Sequence, residues 1–354
     1  MNVDFQFRDK VPVAILGATG AVGQRFVELL AHHPWFEVVA VAASEKSIGK
    51  PYHSAVNWLM STPLPPEIGK LEVKPCEPNF HCKLVFSGLD SSVAGEIETN
   101  FANAGYAVVS NSKNHRQDID VPVVITEVNG DHLELARKQK TYPGMIVTNP
   151  NCSTIGLVMA LKPLFDKFGL EQVSVVTLQA VSGAGYPGVP SLDILDNVIP
   201  YICGEEEKLE TEPLKILGTL TEKGITPASF KISAQCNRVP TTNGHMECIS
   251  VKFKNKPSKE EIIQAWKSFE DVTLTKQMPF APKHPILYFE EENYPQPKLH
   301  RCLENGMAVS IGRLRECTLL DYKFVLLSHN TIRGAAGGSI LIAEQMLKQG
   351  LIFW

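Results

Sequence analysis

The sequence predicts an α/β protein, with an N-terminal Rossmann-type parallel sheet followed by a second α/β domain on a largely antiparallel sheet. Three observations carry this reading. A glycine-rich turn joins the first strand-like segment to the first helix-like one. Strand and helix patterns then alternate through the first 150 residues. After residue 149 the strand-like segments lengthen and alternate apolar with polar positions, as strands with one covered face do.

Residues 11–16 are a short apolar run that stops at Gly17. In residues 21–32, Val22, Phe26, Leu29 and Leu30 fall on one helical face. Residues 36–43 and 83–86 read as strands, the second halted by Ser87-Gly88. Residues 91–104 read as a helix and 106–110 as a strand, with 121–126 and 145–148 as further buried strands. Repeated β-α-β units specify a parallel sheet covered on both faces.

Residues 152–168 read as a helix that Pro163 should kink or interrupt. The longer strands are 171–181, 229–239, 245–253, 307–314 and 321–327, with a helix at 259–269. The last helix, 339–348, follows the turn Gly334-Ala335-Ala336-Gly337-Gly338, whose glycines suit close approach to a ligand or backbone. Residues 60–66 and 278–297 are proline-rich connections, and no internal repeat is present.

Of the 354 residues, 44% are hydrophobic and 20% charged, a globular composition able to bury a core. A net charge of −4 argues against nucleic acid and anionic membranes as partners. The first ten residues lack the apolar stretch of a signal peptide, and the apolar runs fall short of the ~18 residues a membrane span needs. A soluble, cytoplasmic protein is expected. The eight cysteines form no CxxC pair, so no metal is expected.

The first turn reads Gly17-Ala18-Thr19-Gly20-Ala21-Val22-Gly23, a G-x-x-G-x-x-G between strand and helix. Its glycines would let backbone approach a pyrophosphate at a helix N-terminus. The second strand ends in small residues, with Ser44, Lys46 and Ser47 as donors for a 2′-phosphate, which favours NADP; Glu45 is the dissenting neighbour. Ser87 and Gly88 end a later strand and are candidates to lie against the cofactor.

The segment Thr148-Asn149-Pro150-Asn151-Cys152-Ser153-Thr154 sets a cysteine at a helix start. That position can lower a thiol pKa from ~8.5 to roughly 3.5–7.5. The thiolate could attack a carbonyl, and nearby N–H groups, with Asn151 beside them, could hold the oxyanion.

This motif resembles that of the aspartate-semialdehyde dehydrogenase family, its archaeal and fungal branch above all. The glycine turn, the Asn-Cys motif, Gln179-x-x-Ser182-Gly183, Glu205-x-x-Lys208, Arg238-x6-His245 and the C-terminal glycine turn occur in the family's order. The resemblance implies NADPH-dependent reduction of L-4-aspartyl phosphate to L-aspartate 4-semialdehyde plus phosphate, reversibly, in lysine, threonine, methionine and isoleucine biosynthesis. It implies Cys152 as nucleophile, His245 as acid/base and Gln179 as the residue orienting the intermediate. It implies Arg238 for the substrate carboxylate, Glu205 for its ammonium, and Lys208 and Arg116, aided by Asn111, for phosphate. The run Glu205-Glu206-Glu207 leaves Glu205 and Glu206 both open. Ser182, Gly183 and Asn330 match segments that meet the cofactor.

The family also implies a fold in which residues 1–150 and 330–354 bind NADP and residues 151–329 carry catalysis and dimerisation. Homodimers or homotetramers are expected. The rivals are N-acetyl-glutamyl-phosphate reductase, malonyl-CoA reductase and a non-catalytic NADP sensor. A pair such as Arg238 and Glu205 suits a substrate with both carboxylate and free amine.

Overall fold

The computed structural model describes residues 10–269 and 277–353; the reading of the N-terminal segment falls largely outside them. Fourteen strands form among the described residues. They are β1 (Val11–Leu16), β2 (Phe36–Ala42), β3 (Val73–Lys74), β4 (Leu84–Ser87), β5 (Ala107–Ser110), β6 (Met145–Thr148), β7 (Leu170–Ala180), β8 (Thr219–Thr221), β9 (Gly224–Thr226), β10 (Lys231–Val239), β11 (His245–Phe253), β12 (Ile286–Tyr288), β13 (Val309–Glu316) and β14 (Tyr322–Ser328).

The first sheet runs β3-β2-β1-β4-β5-β6 and every pairing is parallel. Its registers keep the C-terminal ends level: Leu16 faces Ala42 and Ser87, Ser87 faces Ser110, and Ser110 faces Thr148. The loops that begin at Gly17, Ala43, Gly88, Asn111 and Asn149 therefore leave along one edge. Strand order reverses between β1 and β4, which opens the crevice where ligands of such sheets bind.

Helix Ala21–Leu30 and the last helix, Gly337–Lys348, pack into the core of this first sheet. Phe26, Val27 and Leu30 share it with Ile340, Leu341, Met346 and Leu347. A buried contact between His33 Nε2 and Glu344 Oε1 at 2.8 Å pins the two ends of the chain together.

The second sheet runs β10-β7-β11-β14-β13-β12. Its three central pairings are antiparallel, while β10–β7 and β12–β13 are parallel, so the sheet is mixed. Helix Cys152–Phe168 lies in its core, with Leu157, Val158, Leu161 and Leu164 among Val175, Ile249 and Phe324. The helix runs unbroken through Pro163. Proline removes one N–H there, and burial of Pro163 with Met159, Ala160, Leu161 and Leu164 outweighs that loss.

Residues 121–126 do not form the expected strand. Val123 makes a single bridge to Thr148, and a short helix Thr126–Asn129 follows. Pro122 has no N–H to give a ladder. The Asn129 side chain accepts from Ile125 N at 2.8 Å and donates to Val123 O at 2.8 Å, satisfying the backbone locally. Among the described residues no helix is long and apolar enough to cross a membrane.

Candidate active site

The two sheets meet at a cleft of about 750 Å³. Its cofactor-like half is walled by Gly17, Thr19, Gly20, Ala21, Val22, Ser44 and Gly88. Gly17 has φ +71°, and a Cβ on it would stand 2.8 Å from the Gly88 carbonyl oxygen. A Cβ on Gly23 would strike Gly17 O, so the turn closes only with glycine there. Gly20 precedes helix Ala21–Leu30 without any side-chain cap. Its first turn is thus left with N–H groups for an anion. Lys46 is exposed beside Ser44, Ser47 is buried and donates its N–H to Ser44 O, and Ser87 is wholly buried; these three are off the cleft wall.

Cys152 opens helix Cys152–Phe168 and lines the same cleft. The cap is Asn151, whose Oδ1 accepts from Ser153 N at 3.0 Å and Thr154 N at 3.4 Å. Its Nδ2 donates to both carboxylate oxygens of Glu205, at 3.1 and 2.9 Å. Glu205 also accepts from Gln179 Nε2 at 3.2 Å and from Lys208 Nζ at 2.6 Å. Of the two open glutamates, Glu205 lines the cleft, whereas Glu206 turns away to accept the Cys236 N–H at 3.1 Å. Gly334 lies over Cys152, where a Cβ would come within 2.7 Å of Cys152 Cβ.

His245 and Arg238 are buried just behind Gly183, which lines the cleft. A Cβ at Gly183 would stand 2.8 Å from Arg238 Nη1 and 3.2 Å from His245 Nε2. Only glycine lets this turn pack so close to both side chains. Arg238 Nη1 donates to Ala180 O at 2.9 Å. The Ala180 N–H donates to His245 Nδ1 at 3.0 Å, so a neutral ring carries its proton on Nε2. Nε2 finds no partner among the described residues. Asn330 links the Gly183 turn to the loop before β11, donating to Ser182 Oγ at 2.8 Å and accepting from Gly244 N at 2.9 Å.

Arg116 and Asn111 enter from the loop after β5. Arg116 Nε donates to Asn149 O at 3.0 Å and Nη2 to Asn111 O at 2.9 Å. The Asn111 side chain accepts from Asn149 Nδ2 and Ser339 Oγ, both at 3.2 Å. Two buried acids of this region were not singled out from the sequence. Glu127 holds Arg333 through two bonds of 2.7 Å beside the Gly334 turn. Glu212 accepts from Arg116 Nη1 at 2.9 Å and Asn151 N at 2.7 Å. The spacing Glu205, Lys208, Glu212 is i, i+3, i+7 on one helix, and that common face was the available signal.

The electrostatics differ from the expected lowered thiol. Burial, then the Glu205 carboxylate, push the Cys152 thiol up to about 12, against Lys208, Arg238 and Arg116. Burial, then Arg238, pull His245 down to about 3, far from the neutrality assumed for a free imidazole. Burial works to raise the Glu205 carboxyl, but Lys208 and the bonds from Asn151 and Gln179 outweigh it and hold it below its usual value.

A family model described as semialdehyde dehydrogenase, NAD binding domain, matches residues 12–136. One described as semialdehyde dehydrogenase, dimerisation domain, matches residues 161–333. The chain is 48% identical to aspartate-semialdehyde dehydrogenase of Saccharomyces cerevisiae, over 96% of this chain and 98% of that one. It is likewise 48% identical to the Archaeoglobus fulgidus enzyme of that name, over 96% and 99%. Its fold matches the crystal structure of aspartate semialdehyde dehydrogenase with NADP from Candida albicans, with a TM-score of 0.90, 45% identity, and coverage of 97% and 100%.

Replacing Glu205 by Gln removes the carboxylate that raises the Cys152 thiol and frees Lys208, so more thiolate exists at a given pH. Iodoacetamide should then alkylate Cys152 faster at pH 8, by roughly an order of magnitude if the pKa falls by one unit. A slower reaction would contradict this electrostatic account.

Proposed function

The chain belongs to the aspartate-semialdehyde dehydrogenase family, and we propose that Cys152 carries the acyl group while L-4-aspartyl phosphate and L-aspartate 4-semialdehyde interconvert. The observation that supports this most is one cleft holding an uncapped glycine turn, a cysteine under a glycine, and the cations Lys208 and Arg116. The chemistry belongs to the biosynthesis of the aspartate-derived amino acids.

The glycine cradle at Gly17, Gly20 and Gly88 fits a dinucleotide pyrophosphate, and Ser44 with the neighbouring Lys46 fits a 2′-phosphate. NADP, when bound there, supplies or takes the hydride. Arg238, packed directly behind Gly183, is assigned the substrate α-carboxylate, which suits its two-pronged guanidinium. Glu205 receives the α-ammonium. That cation offsets the charge that raises the Cys152 thiol, so substrate arrival favours the thiolate.

The sulfur attacks the acyl carbon and phosphate leaves toward Lys208 and Arg116. Three N–H groups of Arg116 are committed within the protein, which leaves two of its five for the anion. Asn151 Oδ1 already occupies the Ser153 and Thr154 N–H groups, so the Cys152 N–H is the donor assigned to the developing oxyanion. His245 Nε2–H is assigned the same oxyanion from the Gly183 side. The combination of Glu205 and Arg238 favours a free amino acid over an N-acetylated or CoA-linked substrate.

We assign residues 1–150 and 330–354 to the NADP-binding domain and 151–329 to the catalytic domain, supported by the core that helix Gly337–Lys348 shares with the first sheet. A homodimer is supported by the match to a dimerisation domain and by exposed Leu192, Leu195, Val198 and Tyr201. A cytoplasmic setting is supported by eight unpaired cysteines.

The purified protein should reduce NADP with aspartate semialdehyde only when phosphate is present at turnover levels, and should ignore N-acetyl-glutamate semialdehyde. Cys152→Ala should abolish turnover yet still bind NADP. Turnover in that variant, or a preference for the acetylated substrate, overturns the assignment. Light scattering should give twice the subunit mass; a monomer would reject the dimer.

A further inference from the structure

Four groups near the nucleophile close into a ring. Arg116 Nε donates to Asn149 O at 3.0 Å. Two residues on, the Asn151 N–H donates to Glu212 Oε2 at 2.7 Å. Glu212 Oε1 accepts from Arg116 Nη1 at 2.9 Å and so returns to the start. Glu212 is 2% exposed and Arg116 6%, so water competes little for these bonds. Pro150 between the two asparagines has no N–H and a fixed φ, which stiffens the ring's covalent side.

The ring joins two assigned functions. One side holds the guanidinium proposed to bind phosphate. The other holds the residue immediately before Cys152. Lys215, one turn beyond Glu212 on the same helix, donates to the carbonyls of Arg116, Asp118 and Val121 at 2.7, 2.8 and 3.0 Å. Helix Glu205–Ile216 therefore grips the Arg116 loop by its backbone and the guanidinium by its side chain. The loop would stay in place without Glu212, but the direction of the guanidinium would not be fixed from this side.

We infer that Glu212 is a positioning residue, which registers the phosphate held by Arg116 against the acyl group on Cys152. The inference rests on the proposed function, in particular on phosphate binding by Arg116. Only a carboxylate offers two acceptors to the two donors. A glutamine keeps one acceptor for the rigid Asn151 N–H, and its NH₂ then faces Arg116 Nη1, donor against donor. Arg116 must move while Cys152 keeps its support. Misplacement of this kind costs an acyl-transfer step more than it costs binding elsewhere in the cleft.

The test uses the full chain with NADP, aspartate semialdehyde and varied inorganic phosphate. In Glu212→Gln the phosphate KM should rise about tenfold or more, with the KM for NADP within about twofold. The burst of NADPH formed before phosphate is added should suffer at least about tenfold less than the phosphate-dependent step. Glu212→Ala, which abandons Asn151 as well, should slow both. An unchanged phosphate KM in Glu212→Gln overturns the inference. So does an equal loss in burst and phosphate step, which is what a general structural defect gives. A wild-type protein without phosphate-dependent turnover sinks the proposed function, and this inference with it.

Discussion

Asn151 has no idle polar atom, and the site depends on that. Its N–H goes to Glu212, its Nδ2 to Glu205, its Oδ1 caps Ser153 and Thr154, and its carbonyl accepts the Ile155 N–H at 3.1 Å. Both glutamates sit two helical turns apart on helix Glu205–Ile216, which packs against β10 of the second sheet. The residue before it, Pro150, follows directly from β6 of the first sheet by way of Asn149. Cys152 is thus fixed at the join between the two sheets, one residue beyond a fully saturated cap. A buried polar network of this kind is valuable only while every member has a partner.

That network also sets the charge balance around the sulfur. A carboxylate close enough to hold Asn151 is close enough to disfavour a thiolate. The resting site therefore keeps its thiol protonated and its imidazole neutral, with the ring proton fixed on Nε2 by the Ala180 amide. A reactive thiolate held permanently would be open to oxidation and stray electrophiles. In the proposed mechanism, ionisation on arrival of the substrate ammonium at Glu205 avoids this. In that proposal the helix terminus serves as a donor at the oxyanion more than as the source of the ionised sulfur.

The fold was legible where pattern and local chemistry agreed. Strands β1, β6 and β11 and helix Cys152–Phe168 follow from apolar runs and a capped start. Residues 121–126 looked like a buried strand because their composition is apolar, yet Pro122 and the Asn129 side chain gave the backbone other partners. The parallel outer pairings of the second sheet were hidden because alternation reports one covered face and says nothing of strand direction. Cys152 and the glycine turns stood out in their own segments, whereas Gln179 came only through the family resemblance. Burial was invisible in them, so the direction of the Cys152 shift could not be read. Glu212 belonged to no motif; only its shared helical face with Glu205 and Lys208 hinted at a role.

The most direct measurement is the site of acylation. Protein mixed with aspartate semialdehyde and NADP, without phosphate, is quenched in acid and digested, and its cysteine peptides are weighed. The account predicts one acyl adduct per chain, on the peptide containing Cys152 and discharged by added phosphate. An adduct on any of the other seven cysteines, or none while NADPH has formed, would contradict it.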